Sequence, residues 1–335
     1  MLSEIRKDPL SNDWVIIASE RGGRPTDLKT ETTKEEKGKF CPFCDSSEVS
    51  EPVKPHSICA ATFAPDGKWM TRILPNKYPA LMPEPILAQR EMDDLYHCLT
   101  GVGGHEILVD SPKHDETLAT MSKEQIEAII TNYQCRYSYW RKDPRITYLS
   151  VFKNHGKVAG ASLHHPHSQL VATPLIPPRL TTELNESKEY FKLNNECLMC
   201  KILKTELENK HRLIFENNSV AAFCSFAPRF PFESLIVPKR HSASLEEITK
   251  EEISDLAEAM SVIFKKLDKL LNDPPFNYLI HVAPLRTPGL LYYHWHIEVI
   301  LRLSQPAGFE WGSGVYINSV PPEDAALELN KVKIR

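Results

Sequence analysis

The sequence lacks several features that define common protein classes. No stretch of its 335 residues is as apolar as a membrane-spanning helix requires, and its first residues contain no apolar core of a secretion signal. Neither the glycine pattern of P-loop kinases nor that of dinucleotide-binding dehydrogenases is present. A large excess of charge of one sign is also missing, since the sequence has 40 Lys and Arg and 44 Asp and Glu. We therefore expect a cytoplasmic protein that binds a small molecule, and neither nucleic acid nor a membrane.

The eight cysteines include two pairs with the C-x-x-C spacing, Cys41 with Cys44 and Cys197 with Cys200. A reducing compartment keeps such pairs as thiols and thiolates, so metal binding is a better prediction for them than disulfide formation.

Residues 164–171 read His-His-Pro-His-Ser-Gln-Leu-Val. Side chains two apart in an extended chain point to the same face, so His165, His167 and Gln169 are predicted to project together from one surface of a sheet. The flanking residues 160–163 and 170–172 are expected to be buried strand. A surface strand of solvated histidines is the alternative, but three imidazoles within four positions favour a functional cluster.

One order of landmarks occurs twice in the chain. A C-x-x-C pair is followed by a strand ending at a histidine, a capping box, a helix, a strand and a His-x-His motif. The first copy predicts a helix from about Lys123 to Arg141 behind Ser122, and the second predicts one from Lys250 to about Leu271 behind Thr249. The chain is therefore predicted to be an internal duplication.

The duplication predicts an α+β fold of two histidine-triad-like repeats, residues 1–177 and 178–335. Each is expected to be a small antiparallel sheet with a packed helix. Because an isolated repeat would leave an unpaired sheet edge, the two sheets are predicted to be continuous.

Each copy also supplies two thiols and two imidazoles, a donor set that fits tetrahedral zinc. The predicted ligands are Cys41, Cys44, His114 and His165 in the first copy, and Cys197, Cys200, His241 and His294 in the second. His281 is a rival ligand in the second copy, and the alternative for both sets is buried thiols beside core-facing imidazoles. Four protein ligands close a site, so two structural zinc ions are predicted.

The uncommitted residues of the first copy are His167 and Gln169. A rigid neutral imidazole suits attack on phosphorus, and an amide donor beside it suits the charge on the non-bridging oxygens. In the second copy His296 stands with Glu298, a carboxylate that would repel a phosphate. One active half per chain is the expectation.

The His-Pro-His-x-Gln motif, the paired C-x-x-C motifs and the duplicated order resemble the galactose-1-phosphate uridylyltransferase family of the histidine triad superfamily over nearly the whole chain. The resemblance implies ping-pong transfer, in which His167 attacks the α-phosphorus of a nucleotide sugar and sugar 1-phosphate departs. Phosphate or a sugar phosphate then accepts the nucleotide. Gln169 would contact the transferred phosphoryl group, and matching positions imply further substrate contacts at Arg21, Arg24, Asn76, Asn154 and Ser162.

The family's C-terminal glutamine, which contacts the hexose phosphate, is missing from residues 308–316, where Tyr316 stands near its position. Within the family the pattern is most similar to the plant ADP-glucose phosphorylase branch, which implies AMP transfer to inorganic phosphate. The alternatives are a UDP-glucose–hexose-1-phosphate uridylyltransferase, a nucleotide hydrolase and a non-catalytic nucleotide-binding zinc protein. The sequence leaves a homodimer open.

Overall fold

The structure is a computed structural model that describes residues 3–23, 41–44, 59–84, 86–92, 95–287 and 289–334. Within these ranges no helix has the length and apolar character needed to cross a membrane. The helices are α1 (Lys123–Trp140), α2 (Pro178–Asn194), α3 (Leu198–Asn209), α4 (Lys250–Leu271), α5 (Gly308–Ser313) and α6 (Pro322–Lys331). The strands are β1 (Glu4–Lys7), β2 (Trp14–Ile17), β3 (Ala60–Phe63), β4 (Trp69–Pro75), β5 (Gln89–Met92), β6 (Tyr96–Leu99), β7 (Gly104–Val109), β8 (Tyr148–His155), β9 (His167–Thr173), β10 (Leu213–Glu216), β11 (Val220–Cys224), β12 (Ser234–Pro238), β13 (Phe276–His281), β14 (His296–Leu301) and β15 (Tyr316–Asn318).

A ten-stranded sheet forms the centre of the fold, in the order β10-β11-β12-β14-β13-β8-β9-β7-β4-β3. Reading outward from the middle, β8-β9-β7-β4-β3 repeats as β13-β14-β12-β11-β10, so the two halves have the same strand arrangement. They join where β8 pairs antiparallel with β13, with Asn154 opposite Asn277. The predicted α+β fold and the continuous sheet are confirmed.

Helices α1 and α4 pack on one face of this sheet and have the predicted bounds within one residue. Thr249 and Glu252 form the reciprocal capping box expected at α4. At α1 the Ser122 side chain accepts from the Gln125 backbone, but the Gln125 amide donates to the carbonyls of Met70 and Asp110 instead of closing the box. The capping signal therefore located both helix starts, although only one box is complete.

The opposite face of the sheet differs between the two halves. In the second half α3 covers it, with Leu198 and Leu203 in one apolar cluster with Phe223 and Leu235. In the first half the corresponding strand positions, including Gln169 and Asn154, are half-exposed. Among the described residues, one copy of this face is therefore open to a ligand, and the other is covered by α3.

Three strand predictions were wrong in their bounds, among them that of β12, which ends at Pro238 and not at His241. Residues 160–163 are not strand, because Gly160 ends a short 3-10 turn in the left-handed region at φ 87° and Ser162 is exposed. Strand β9 begins only at His167, after Pro166, which has no N–H to donate to a ladder. His165 therefore precedes the strand instead of sharing its face with His167 and Gln169. Strand β7 likewise ends at Val109 and not at His114.

A buried ion pair lies under the start of β9, on the core side of the sheet. Lys153 Nζ donates to Asp110 Oδ2 at 2.6 Å and to the His167 carbonyl at 3.1 Å. Ser168 Oγ donates to Asp110 Oδ1 at 2.9 Å and accepts from the Tyr133 hydroxyl at 2.7 Å. Because the Lys153 and Asp110 side chains are 2% and 0% exposed, each charge depends on the other for compensation.

Replacing Lys153 with methionine is expected to lower the free energy of unfolding by about 3 kcal/mol, because it leaves the Asp110 carboxylate buried without its cation. Urea unfolding followed by circular dichroism measures the change. Lys157→Met, at an exposed position four residues on, is the matched control and should change stability little. If Lys153→Met lowers the free energy of unfolding by less than about 1 kcal/mol, the Asp110 carboxylate does not depend on Lys153 for compensation.

Candidate functional site

The first predicted metal-binding set comes together in the structure. Cys44 Sγ lies 3.3 Å from His114 Nδ1 and 3.4 Å from His165 Nδ1, and Cys41 Sγ lies 3.6 Å from His165 Nδ1. The four donor atoms all lie within 4.8 Å of one another. Three separate segments supply them, namely the 41–44 loop, the loop after β7 and the residues before β9.

This geometry fits a tetrahedral ion. Metal bonds of about 2.0 to 2.3 Å place neighbouring ligand atoms about 3.6 Å apart, close to the observed separations. His165 directs Nδ1 at the sulfurs and donates Nε2–H to the Ser111 carbonyl at 2.8 Å, the outer contact that orients a metal-binding imidazole. Burial lowers the pKa of His165 to about 4, which preserves the neutral form that a metal binds.

The second set is built in the same way. Cys200 Sγ lies 3.3 Å from the Nδ1 atoms of His241 and His294, and buried Cys197 completes the group. The rival ligand His281 lies elsewhere, with Nδ1 3.1 Å from Glu183. Two Cys2His2 groups in the described chain could therefore hold metal ions, and His241 rather than His281 belongs to the second.

His167 begins β9 directly beside the first group. Its Nδ1–H donates to the His165 carbonyl at 2.8 Å, so the Nε2 lone pair is the one left available. Burial lowers the pKa of His167, which favours the neutral ring, and the Phe43 ring packs 5.6 Å away, between the two cysteines in sequence. The position of this imidazole therefore depends on the same segments that form the Cys2His2 group.

Gln169 and two of the predicted substrate-binding residues lie on the open face of the sheet. Gln169 Oε1 is 2.9 Å from His105 Nε2, and Asn76 Nδ2 is 3.1 Å from the same nitrogen. Asn154 comes two residues after Phe152, which pairs with Gln169, so its side chain is on that face too. Its Oδ1 accepts from Asn277 Nδ2 at 2.8 Å. Ser162 is exposed in the loop before the motif.

Other predicted substrate contacts lie apart from this group or outside the described residues. Arg21 is exposed in the 3-10 helix Ser19–Gly23, and Arg24 falls outside the described residues. Tyr316 lies on β15, where its ring packs 5.7 Å from Phe230 and 5.8 Å from the Arg229 guanidinium. Tyr316 also pairs with Val15 of β2 and packs against the apolar cluster of Val15 and Ile17, so its contacts are with both halves of the chain.

Sequence reasoning missed the residues that position the site from below. Lys153 and Asp110 were given no role, although Lys153 alternates with Leu149 and Val151 along β8 and therefore had to face the core. A lysine at an apolar-periodic position is the signal that could have found it. His105, which contacts Gln169, was also missed.

The second half carries a charged cluster where the first half carries the site. Glu298, in the position of Gln169, accepts at Oε1 from Arg179 at 2.9 Å and from Arg229 at 2.8 Å. Although burial opposes ionisation, the two guanidiniums bring the pKa of Glu298 well below its usual range. A cavity of about 380 Å³ beside it is lined by these three residues and His296. Both guanidiniums already face an ionised carboxylate, which disfavours a phosphate there.

Comparisons with known proteins show the family to which the chain belongs. The family model described as "Galactose-1-phosphate uridyl transferase, N-terminal domain" matches residues 1–177, and a domain of unknown function matches residues 102–332. ADP-glucose phosphorylase from Arabidopsis thaliana is 35% identical, over 99% of this chain and 93% of that protein. Galactose-1-phosphate uridylyltransferase from Thermotoga maritima is 29% identical, over 99% of each.

The crystal structure of an ADP-glucose phosphorylase from Arabidopsis thaliana with bound ADP-glucose superimposes over 100% of both chains, with a TM-score of 0.84 and 33% identity. The resemblance predicted from the motifs is confirmed, and the chain belongs to the galactose-1-phosphate uridylyltransferase family of nucleotidyltransferases.

Proposed function

We propose that the protein is an ADP-glucose phosphorylase that works through a nucleotidyl-histidine at His167. The observation that carries the proposal is the hydrogen bond from His167 Nδ1 to the His165 carbonyl, because it leaves a fixed, neutral imidazole with its Nε2 lone pair available. The chain's relative in Arabidopsis thaliana is named for this activity, and its structure was determined with bound ADP-glucose.

The reaction has two displacement steps at one phosphorus. First, the His167 Nε2 lone pair forms a bond to the α-phosphorus, and the bond from that phosphorus to the bridging oxygen breaks. Glucose 1-phosphate leaves with the bonding electrons. Second, an oxygen of inorganic phosphate attacks the same phosphorus, the bond to Nε2 breaks, and ADP is released while His167 returns to its neutral form.

Negative charge on the transferred phosphoryl group needs donors on the open face of the sheet. Gln169 is proposed to supply an amide N–H there, and Asn154 and Ser162 to contact the neighbouring phosphate. The remaining substrate contacts are proposed to come from Asn76 near the nucleoside and, through their charge, from the arginines at 21 and 24.

A second candidate is UDP-glucose–hexose-1-phosphate uridylyltransferase activity. The observation that favours it is the Thermotoga maritima relative, which is named for galactose-1-phosphate uridyl transfer and matches this chain along its whole length. The absence of glutamine from residues 308–316 supports the first candidate, because the family resemblance implies a glutamine there that contacts a hexose phosphate.

Both Cys2His2 groups are proposed to bind zinc in a structural role. Two thiolates and two imidazoles are a donor set typical of closed zinc sites, which have no open position for substrate. Cys41, Cys44, His114 and His165 would hold one ion, and Cys197, Cys200, His241 and His294 the other. The cytoplasmic location and the homodimer stay predictions.

Incubating the protein with ADP-glucose alone is expected to add one AMP to the chain, because without phosphate the second step cannot occur. Intact-mass spectrometry after an acid-free quench measures the adduct. UDP-glucose in a parallel incubation is expected to add little UMP. Inorganic phosphate should then discharge the AMP adduct as ADP, and galactose 1-phosphate should not.

His167→Gly is the matched variant, since it removes the imidazole and should form no adduct. If UDP-glucose instead forms a UMP adduct on the protein, and galactose 1-phosphate discharges it, the second candidate would be established. Steady consumption of ADP-glucose by the wild type without any adduct would contradict covalent transfer through histidine.

The metal proposal predicts about two zinc ions per chain by plasma mass spectrometry. Cys44→Ser and Cys200→Ser should each lose about one ion. Cys44→Ser should also lose adduct formation, because His165 would no longer be held by the ion and the start of β9 could shift. His167→Gly should keep both ions. Loss of an ion from His167→Gly would mean that the roles of His165 and His167 have been exchanged.

A further inference from the structure

One imidazole outside the motif, that of His105, contacts Gln169, which is predicted to donate a hydrogen bond to the transferred phosphoryl group. His105 lies on β7 and faces Val171 of β9 across the ladder, which places its side chain on the same open face as Gln169. Its Nε2 is 2.9 Å from Gln169 Oε1 and 3.1 Å from Asn76 Nδ2, and its Nδ1 is 3.2 Å from the Ala80 backbone nitrogen.

The backbone contact decides which ring nitrogen carries the hydrogen. The Ala80 N–H can only donate, so Nδ1 of His105 must accept with its lone pair. A doubly protonated ring and the Nδ1–H tautomer are both incompatible with that bond. The hydrogen therefore sits on Nε2, and it is donated to Gln169 Oε1. Asn76 Nδ2, 3.1 Å from the same nitrogen, is itself a donor, so in this tautomer its contact with Nε2 is not a hydrogen bond.

This hydrogen bond fixes the orientation of the Gln169 amide. With Oε1 accepting from His105, the NH2 group is the end of the amide that remains for a ligand on the open face. A carboxamide free to rotate by half a turn would present its oxygen to the phosphoryl group, and an acceptor facing negative charge is repulsive.

His105 is contacted by residues 76–80, the segment proposed to lie near the nucleoside. The Asn76 backbone N–H donates to the His105 carbonyl at 2.8 Å, and Asn76 Oδ1 accepts from the Tyr78 backbone at 2.9 Å. With the Ala80 bond to the ring, residues 76–80 form a turn around His105. A change in the conformation of this turn would therefore alter the position of Gln169 through the His105 side chain.

We propose that His105 is a positioning residue for nucleotidyl transfer, which acts by holding the Gln169 amide with its N–H group toward the transferred phosphoryl. The inference rests on the proposed function, since it needs Gln169 to act as a donor. It adds a residue outside the His-Pro-His-x-Gln motif to the reaction.

A double-mutant cycle separates this role from a structural one. His105→Phe keeps a planar aromatic ring but removes the N–H, and it should lower kcat and the single-turnover rate of adduct formation about tenfold while KM changes little. Gln169→Ala should lower the same rates by about 100-fold. In the double variant His105→Phe should have no further effect, because the amide that it orients is gone.

His105→Gln should recover part of the rate, since its amide can again donate to Gln169. His211→Phe, at an exposed histidine near the far edge of the sheet, is the control and should be fully active. Rate losses that multiply in the double variant would overturn the proposal, as would a higher KM with unchanged kcat. A missing adduct on wild-type His167 would instead reject the proposed function, so the two failures are distinguishable.

Discussion

The hydrogen bond from His167 to the carbonyl of His165 is the contact on which the site depends. It joins the His167 ring to the backbone of His165, a residue whose own imidazole is directed at two cysteine sulfurs, whereas His167 lies on the strand face that carries Gln169. Because only Pro166 separates them, the chain leaves the Cys2His2 group and enters β9 within a single residue. Any shift of the cysteine loop is therefore passed directly to the ring that is proposed to attack phosphorus.

From the core side, a different interaction holds the same residue. Lys153 donates to the His167 carbonyl while its charge is compensated by buried Asp110. The backbone of His167 is thus bonded from below and its ring from the side, and burial keeps the ring neutral. Such a constrained imidazole loses little freedom when it reacts, which is the advantage of a preorganised nucleophile.

The duplication shows how one scaffold can keep one site and lose another. Both halves have the same strand order and a Cys2His2 group at the same place, yet the position of Gln169 is taken by Glu298 in the second half. That carboxylate is paired with Arg179 and Arg229, and helix α3 closes over the face. The carboxylate, its two guanidinium partners and the covering helix together distinguish the second half from the first.

Sequence periodicity and capping signals predicted the helices, the duplication and the Cys2His2 groups, because each depends on residues at fixed spacing. They failed at residues 160–163, where an apolar composition resembles strand but Gly160 and Pro166 impose a turn. They also missed His105, whose contact with Gln169 arises from strand pairing and not from spacing along the chain. Pairing partners become visible only when the sheet order is known.

A closed Cys2His2 group places a definite demand on the rest of the site. An ion with four protein ligands has no position for a phosphate oxygen, so it cannot polarise the substrate directly. Charge developing on the phosphoryl group must then be met by side-chain donors on the open face, and amide orientation becomes decisive because a carboxamide is a donor at one end only. The backbone N–H of Ala80 can only donate, so it fixes the tautomer of His105. His105 in turn fixes the orientation of the Gln169 amide. The direction of the Gln169 amide is therefore determined by the fold of residues 76–80, and the Cys2His2 group determines where the His167 ring lies beside it.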